Sequence, residues 1–245
     1  MEHYTYHILY QVEETHWWFV GRRSLILDQI ARYYQGQKNL VMLDIGCGCG
    51  IFMTHLTPYG KIVGMDSSAD ALCFCQQRRL SHLVQGDAEM LPFFPNSFDL
   101  LTANDLLEHL DDDITSLHGF FSLLKPGGRL FVFVPAYQFL WSLQDEISHH
   151  KRRYTKRRLT HVIESAGFTI EQVTYANTLL FPVIWVGRQM LKIVRRFRDV
   201  QTENTLHPQW SNRVLKRIFC LERPLLRRLS LPFGVSLLAV CRKPL

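Results

Sequence analysis

The chain of 245 residues lacks several features that would fix its class at once. No basic stretch followed by an apolar one opens it, since Met1 to Gln11 is aromatic and polar. That predicts no cleaved signal peptide and a cytoplasmic protein. No run reaches the ~20 apolar residues of a membrane span, because even Gln172 to Gly187 is interrupted by Thr, Tyr, Asn and Pro. C-x-x-C spacing is also missing: the six cysteines stand as Cys47/Cys49, Cys73/Cys75, Cys220 and Cys241. That argues against a zinc ribbon or a thioredoxin-type site and for reduced thiols with no metal role. Internal repeats and low-complexity tracts are absent, and 47% hydrophobic with 12% aromatic residues excludes disorder, collagen and coiled coil. What remains is a compact domain with room for one elaboration.

The net charge of +6 is local. Between Ala176 and Ser230 stand eleven Lys or Arg against Asp199, Glu203 and Glu222, while the rest of the chain is slightly acidic. This stretch begins with LLFPVIWVGRQMLKIV (179 to 194), bulky and apolar ahead of Arg195-Arg196. As a helix it suits either a cap on a sheet or an interface with an anionic membrane surface, over residues 179–198. A second basic run, Lys151-Arg152-Arg153 with Lys156-Arg157-Arg158, suits an anionic substrate or plain solvation.

Strand and helix signals alternate along the chain. Asn39 to Ile45, Lys61 to Met65, His82 to Gln85, Phe98 to Ala103, Arg129 to Pro135, Phe168 to Tyr175 and Val235 to Cys241 read as strands. Ser67-Ser68-Ala69-Asp70 offers an N-cap for a helix through Leu80, Leu106, Leu107 and Leu110 give the face of a helix after the fourth strand, and Gly167 ends a helix over Thr155 to Ala166. The pattern predicts an α/β fold, a Rossmann-like doubly wound seven-stranded sheet.

Three glycines alternate directly after the first strand in Leu43-Asp44-Ile45-Gly46-Cys47-Gly48-Cys49-Gly50. Such a loop permits positive φ and lets a ligand approach the backbone at a helix N-terminus. Asp66 ends the second strand, where a carboxylate can accept from both hydroxyls of a ribose. Together they point to a nucleoside-containing cofactor. The G-x-G-x-x-G of nicotinamide dinucleotides does not fit, because Ile51 stands where the last glycine belongs.

Four segments in order, VMLDIGCGCG (41 to 50), IVGMDSS (62 to 68), GDAEMLPFFPNSFDLL (86 to 101) and LLKPGGRLFVFVP (123 to 135), resemble class I S-adenosylmethionine-dependent methyltransferases of the type 11-like, small-molecule or lipid branch. The resemblance spans roughly residues 39 to 136. It implies a mainly parallel sheet whose last strand is antiparallel, and S-adenosyl-L-methionine as cofactor. By matching position, Asp44 would sit near the cofactor's amino group, and Gly46, Cys47, Gly48 and Gly50 would pass under its methionine and ribose. Asp66, with Ser67 beside it, would hold the ribose; Asp87 and the Ala88 backbone would meet the adenine; Asn104 would lie at the methionine end. Cys49 departs from the small or hydroxyl residues usual there and suggests a thiol-reactive loop.

Methyl transfer needs alignment and, for a neutral acceptor, a proton acceptor. His16, His109, His149 and His150 are the candidate bases. Two segments outside the motifs read as substrate enclosure: Glu14 to Arg23, rich in aromatics, and Leu140 to Tyr154. Both also resemble a bacterial branch associated with lipid- or polyprenyl-linked and glycan-related pathways. The domain reading is therefore aromatic lid helices over 1–38, a cofactor-binding core over 39–175, a basic-apolar helical insertion facing substrate or membrane over 176–230, and a final core strand over 231–245. The expected acceptor is a small molecule or a lipid-linked one, methylated on oxygen, nitrogen or carbon, by a protein that is cytoplasmic or peripheral at the inner membrane face. An RNA methyltransferase is the alternative favoured by the basic patches, but Asn104-Asp105-Leu106-Leu107 is not an N-P-P-Y tetrad and no added RNA module is visible, so no specific nucleic acid partner is expected. A noncatalytic cofactor-binding membrane adaptor would keep the loop without a substrate chamber.

Overall fold

The computed structural model describes residues 3–194 and 208–245. Its centre is a seven-stranded sheet of β1 (Leu40–Ile45), β2 (Gly60–Asp66), β3 (Leu83–Gln85), β4 (Phe98–Asn104), β5 (Leu124–Pro135), β6 (Thr169–Ala176) and β7 (Ser236–Arg242) in the order β3-β2-β1-β4-β5-β7-β6. The first five strands run parallel; β7 is antiparallel to both β5 and β6, as the resemblance implied.

The helices are α1 (His3–Val12), α2 (Trp17–Tyr34), α3 (Ile51–Leu56), α4 (Ala69–Gln77), α5 (Asp113–Leu123), α6 (Leu143–Ile147), α7 (Lys156–Ser165), α8 (Phe181–Val194), α9 (Gln209–Cys220) and α10 (Glu222–Leu226). Because both faces of the sheet are covered, its strands are apolar at successive positions rather than alternate ones. In β5, Leu130, Val132 and Val134 join one core with Leu117 and Phe120 of α5 and Leu159 and Ile163 of α7. Phe131 and Phe133 join the other, with Leu25, Ile26 and Ile30 of α2, Met53 of α3 and Phe219 of α9.

Ser68 caps α4 by accepting from Ala71 N, Thr155 caps α7, and Gly167 takes φ +89° after it, as their positions suggested. The helix expected from Leu106, Leu107 and Leu110 does not form as one piece. Leu107–His109 make a single 3₁₀ turn, Leu110 is extended, and α5 starts only where Asp112 accepts from Ile114 N and Thr115 N. A strong N-cap three residues past the turn restarts the helix and leaves Glu108 and His109 on a loop.

The chain leaves β6 at Ala176 and re-enters the sheet at Ser236 after α8, α9 and α10. Fully buried Glu222 fastens this excursion by accepting from Asn177 N at 2.7 Å and Leu179 N at 2.8 Å. Asp28 of α2 receives Arg223 at 3.2 Å and Arg227 Nε at 2.8 Å. Phe219 lies against Trp17 and Trp18, with no room between it and the backbone of Gly21. Residues 195–198 of the expected membrane-facing stretch lie outside the described residues. Among the described residues no helix is long and apolar enough to cross a membrane.

Candidate functional site

Strand order reverses between β1 and β4, and at such a switch point the loops after the strands diverge and leave a crevice. A cavity of about 730 Å³ opens there. Its floor is the glycine loop. Gly46 N and Cys47 N both donate to Met65 O, at 2.8 and 3.0 Å, folding the loop across the end of β2. Gly48, at φ +55°, donates its N–H to Asp66 Oδ2 at 2.9 Å, while Ser68 N donates to Asp66 Oδ1 at 3.0 Å. Asp66 is thereby aimed along the rim with lone pairs to spare. Burial raises its pKa above the ordinary range, against the lowering effect of these N–H groups.

Asp44, at the end of β1, is buried and accepts from Thr102 Oγ1 of β4 at 2.6 Å. Burial pushes its carboxyl up to about 7, with Arg22 pulling the other way. Asn104 lines the cavity with an Oδ1 that has no hydrogen-bond partner among the described residues. Cys47, Ser67, Asp87 and Ala88 line it too. Gly50 does not: it precedes α3 at φ +81° and shapes the turn.

Cys49 is a correction. Its side chain is fully buried under α1, with Sγ 3.5 Å from Tyr6 O, and burial drives its thiol upward, away from the reactive thiolate. Cys47 and Cys75 pack with sulfurs 4.0 Å apart, and all six cysteines are unbridged.

The other end of the cavity is built by residues far apart in sequence. Arg22 of α2 crosses the opening to pair with Asp105, which follows β4 at φ +49°. Burial lowers its guanidinium to about 10. His109 and His150 meet edge to face, with centroids 4.6 Å apart, and both line the cavity. Burial pushes His109 down to about 3, so its imidazole is neutral, and raises wholly buried Glu108 to about 8. Asp145, also fully buried, sits 2.9 Å from His150 Nδ1 and receives Arg153 Nε and Nη2, each at 2.8 Å. His16 lines the cavity while serving as the N-cap of α2, its Nδ1 accepting from Trp18 N at 3.3 Å. His149 does not join the others. It follows α6 at φ +55°, is exposed, and does not line the cavity.

Four contributions fall in segments the sequence marked only broadly, as lid, enclosure or insertion, without singling out the residues: Tyr6 and Leu9 of α1 roofing the loop, Arg22, the Asp145–Arg153 pair, and α8. Only α8 left a signal, since Ile184, Gly187, Arg188 and Leu191 recur at helical spacing and face the cavity. The second basic run is largely consumed within the protein. Lys151 pairs with Asp111, Arg152 and Arg158 reach Asp113 at 3.2 and 3.3 Å, and Arg153 is buried on Asp145. It offers no broad anion-binding patch.

Comparison with known proteins adds family information. Residues 43–132 match the family described as "Methyltransferase domain". The ubiquinone biosynthesis O-methyltransferase of Erwinia tasmaniensis is 32% identical over 114 residues, 44% of this chain and 47% of that protein. Its counterpart from Coxiella burnetii is 29% identical over 157 residues, 56% and 67% of the two chains. The demethylmenaquinone methyltransferase of Lactococcus lactis is 35% identical over 101 residues, 37% and 40%. The matches thus span about half the length of these curated relatives. Among solved structures, a putative methyltransferase from Bacillus halodurans superimposes with TM-score 0.59 at 19% identity, covering 89% of this chain and 99% of that one. The [4+2]-cyclase SpnF gives TM-score 0.59 at 19% identity, covering 91% and 81%. Likeness at that level shows a shared fold, and the cyclase, named for a different reaction, is a reminder that the fold alone does not dictate methylation.

Proposed function

The chain belongs to the class I S-adenosylmethionine-dependent methyltransferases, and from that premise we propose that it transfers a methyl group to a small acceptor carrying an apolar tail. One observation carries the reading. The same cavity is lined at one end by Asp66 and the glycine loop and at the other by His109, His150 and the inner face of α8. Cofactor and acceptor therefore share one enclosure, as a direct transfer requires.

The residues fit the cofactor. Asp66 has lone pairs for ribose hydroxyls, Asp44 a carboxylate for an ammonium group, and the unpartnered Asn104 Oδ1 an acceptor at the same end. When bound, S-adenosylmethionine supplies a methyl group on a positively charged sulfur. The chain's part is to hold the acceptor's nucleophile in line and keep water out. His109 and His150 are placed to contact that nucleophile, with Asp145 fixing the second ring. α1 and α2 close the top, and the Arg22–Asp105 pair bars the opening between them and β4.

An apolar tail is supported by α8, which presents Ile184 and Leu191 to the cavity and leaves Val183, Trp185, Val186 and Met190 exposed on its outside. Exposed Trp210 and Val214 of α9 stand among exposed Arg213 and Arg217. Apolar and basic residues interleaved in this way support contact with an anionic membrane surface, from which a lipid-linked acceptor would enter.

Calorimetric titration with S-adenosylmethionine and S-adenosylhomocysteine, beside Asp66→Ala and with NADH as control, tests the cofactor. Labelled methyl transfer to membrane-extract fractions then tests the acceptor. Micromolar binding lost in Asp66→Ala, with label entering the lipid fraction, is expected. Binding without transfer to any fraction would favour a noncatalytic adaptor.

A further inference from the structure

Glu108 and His109, on the turn after β4, and His150, after α6, bring one carboxylate and two imidazoles to the same point, with ligand atoms within 4.8 Å of one another. Two backbone acceptors fix the meeting: Lys151 N donates to Glu108 O at 2.7 Å, and Tyr154 OH donates to Leu107 O at 3.2 Å. Nothing in the reading above uses Glu108. It is fully buried, yet neither carboxylate oxygen has a hydrogen-bond partner among the described residues. A native fold seldom leaves both oxygens of a buried carboxylate unserved without a reason.

His150 supplies an independent observation. Its Nδ1 lies 2.9 Å from Asp145 Oδ1, and Asp145 is held as a carboxylate by two bonds from Arg153 and one from Ser142 N at 2.7 Å. Nδ1 therefore donates to Asp145, and Nε2 faces Glu108, 3.9 Å from Oε1. A histidine clamped through one nitrogen onto a buried carboxylate, with the other nitrogen aimed at an unpartnered acid, has the outer-shell arrangement of a metal ligand.

We propose that Glu108, His109 and His150 bind a divalent transition-metal ion of the zinc class. Two ligand atoms on one tetrahedral ion stand about 3.3 Å apart, so an ion would draw the cluster, now spread over up to 4.8 Å, inward by about 1.5 Å. Two imidazoles and one carboxylate suit zinc or cobalt, whereas magnesium and calcium require oxygen donors. His109 and His150 line the cavity and Glu108 lies behind them, so the remaining coordination position opens toward the acceptor. An acceptor hydroxyl taking that position would release its proton to solvent and keep the electron pair on the metal-bound oxygen. The ion site deepens the reading above by giving its two histidines a metal to hold, and it is tested separately, by metal binding.

The test uses the whole chain, stripped with a chelator and desalted, then titrated calorimetrically with Zn²⁺, with Mg²⁺ for contrast, and with Co²⁺ followed by visible absorption. One equivalent of Zn²⁺ per chain is expected, with a Co²⁺ spectrum of tetrahedral nitrogen and oxygen ligation. Glu108→Gln and His150→Asn should each weaken Zn²⁺ binding more than tenfold while S-adenosylmethionine binding persists. Retained cofactor binding shows that the variants fold. Failure of the native chain to bind Zn²⁺ or Co²⁺, binding unchanged in both variants, or a cobalt–thiolate absorption band would overturn the proposal. Loss of cofactor binding by the native chain with zinc binding intact would instead count against the methyltransferase reading alone.

Discussion

Replacing Asp44 with Asn should stabilise the protein at pH 8 while weakening its hold on the cofactor. Burial raises the Asp44 carboxyl from 3.8 to about 7. A group raised in this way contributes stability while protonated, in full below its unfolded pKa near 3.8, and loses that contribution as the pH rises through about 7. At about 1.4 kcal/mol per pH unit the loss comes to about 4 kcal/mol. Asparagine does not titrate, and its carbonyl can still accept from Thr102. Its amide hydrogens, left without partners, cost about 1–3 kcal/mol, but that cost does not vary with pH. The stability difference between Asp44→Asn and wild type should therefore grow by about 3 kcal/mol between pH 4.5 and 8 and stay level above that. Urea unfolding of both proteins across this range measures it, and the other titrating groups cancel in the difference. A difference changing by less than about 1 kcal/mol would show that Asp44 is not held in a strongly raised state. Because the lost carboxylate is also the proposed ammonium partner, S-adenosylmethionine should bind about 10–100-fold more weakly to the variant at pH 8.

Gly21→Ala sets two effects against each other. Alanine gains about 1 kcal/mol of helix propensity, but its Cβ would lie 2.1 Å from Phe219 Cδ1, and forcing a methyl into a filled core costs about 1–3 kcal/mol. A net loss is expected, relieved by adding Phe219→Leu; thermal melts decide, and a stabilised single variant would refute the packing described. Removing Asp28 as Asp28→Asn should loosen α10 and α9 from α2, read as faster hydrogen exchange over residues 209–226 with protection of β1 and β4 unchanged. Of the six thiols, exposed Cys73 should react first with a thiol reagent and Cys49 only on unfolding. Early labelling of Cys49 by mass spectrometry would mean that α1 does not seat on the loop.

The cofactor half of the site was legible because local chemistry makes it. Glycines 46, 48 and 50 act within five residues of one another and Ser68 caps a helix two residues after Asp66, so spacing within each motif translates into geometry, and the parallel pairing of β1 with β2 joins the two across the 18 positions from Gly48 to Asp66. The acceptor half is made by long-range pairings. Arg22 meets Asp105 across 83 positions and Tyr154 meets Leu107 across 47, and no periodicity encodes such contacts. Charge counting left the second basic run open between an anionic substrate and plain solvation, since a tally of Lys and Arg between 151 and 158 says nothing of Asp111, Asp113 and Asp145, which pair with four of the six. His149 and His150 are adjacent and were indistinguishable as letters. A single left-handed residue after α6 turns one outward and leaves the other facing the cavity.

Antiparallel neighbours such as β6 and β7 are commonly joined by two to five residues, yet here roughly sixty lie between the paired Ala176 and Ser236. Lengthening a closed loop that far adds only about 2 kcal/mol of closure entropy. Its two ends emerge side by side from the sheet, so the whole segment behaves as a cassette plugged into a fixed socket. Chimaeras cut at Ala176 and Ser236 would test whether this segment selects the acceptor proposed above.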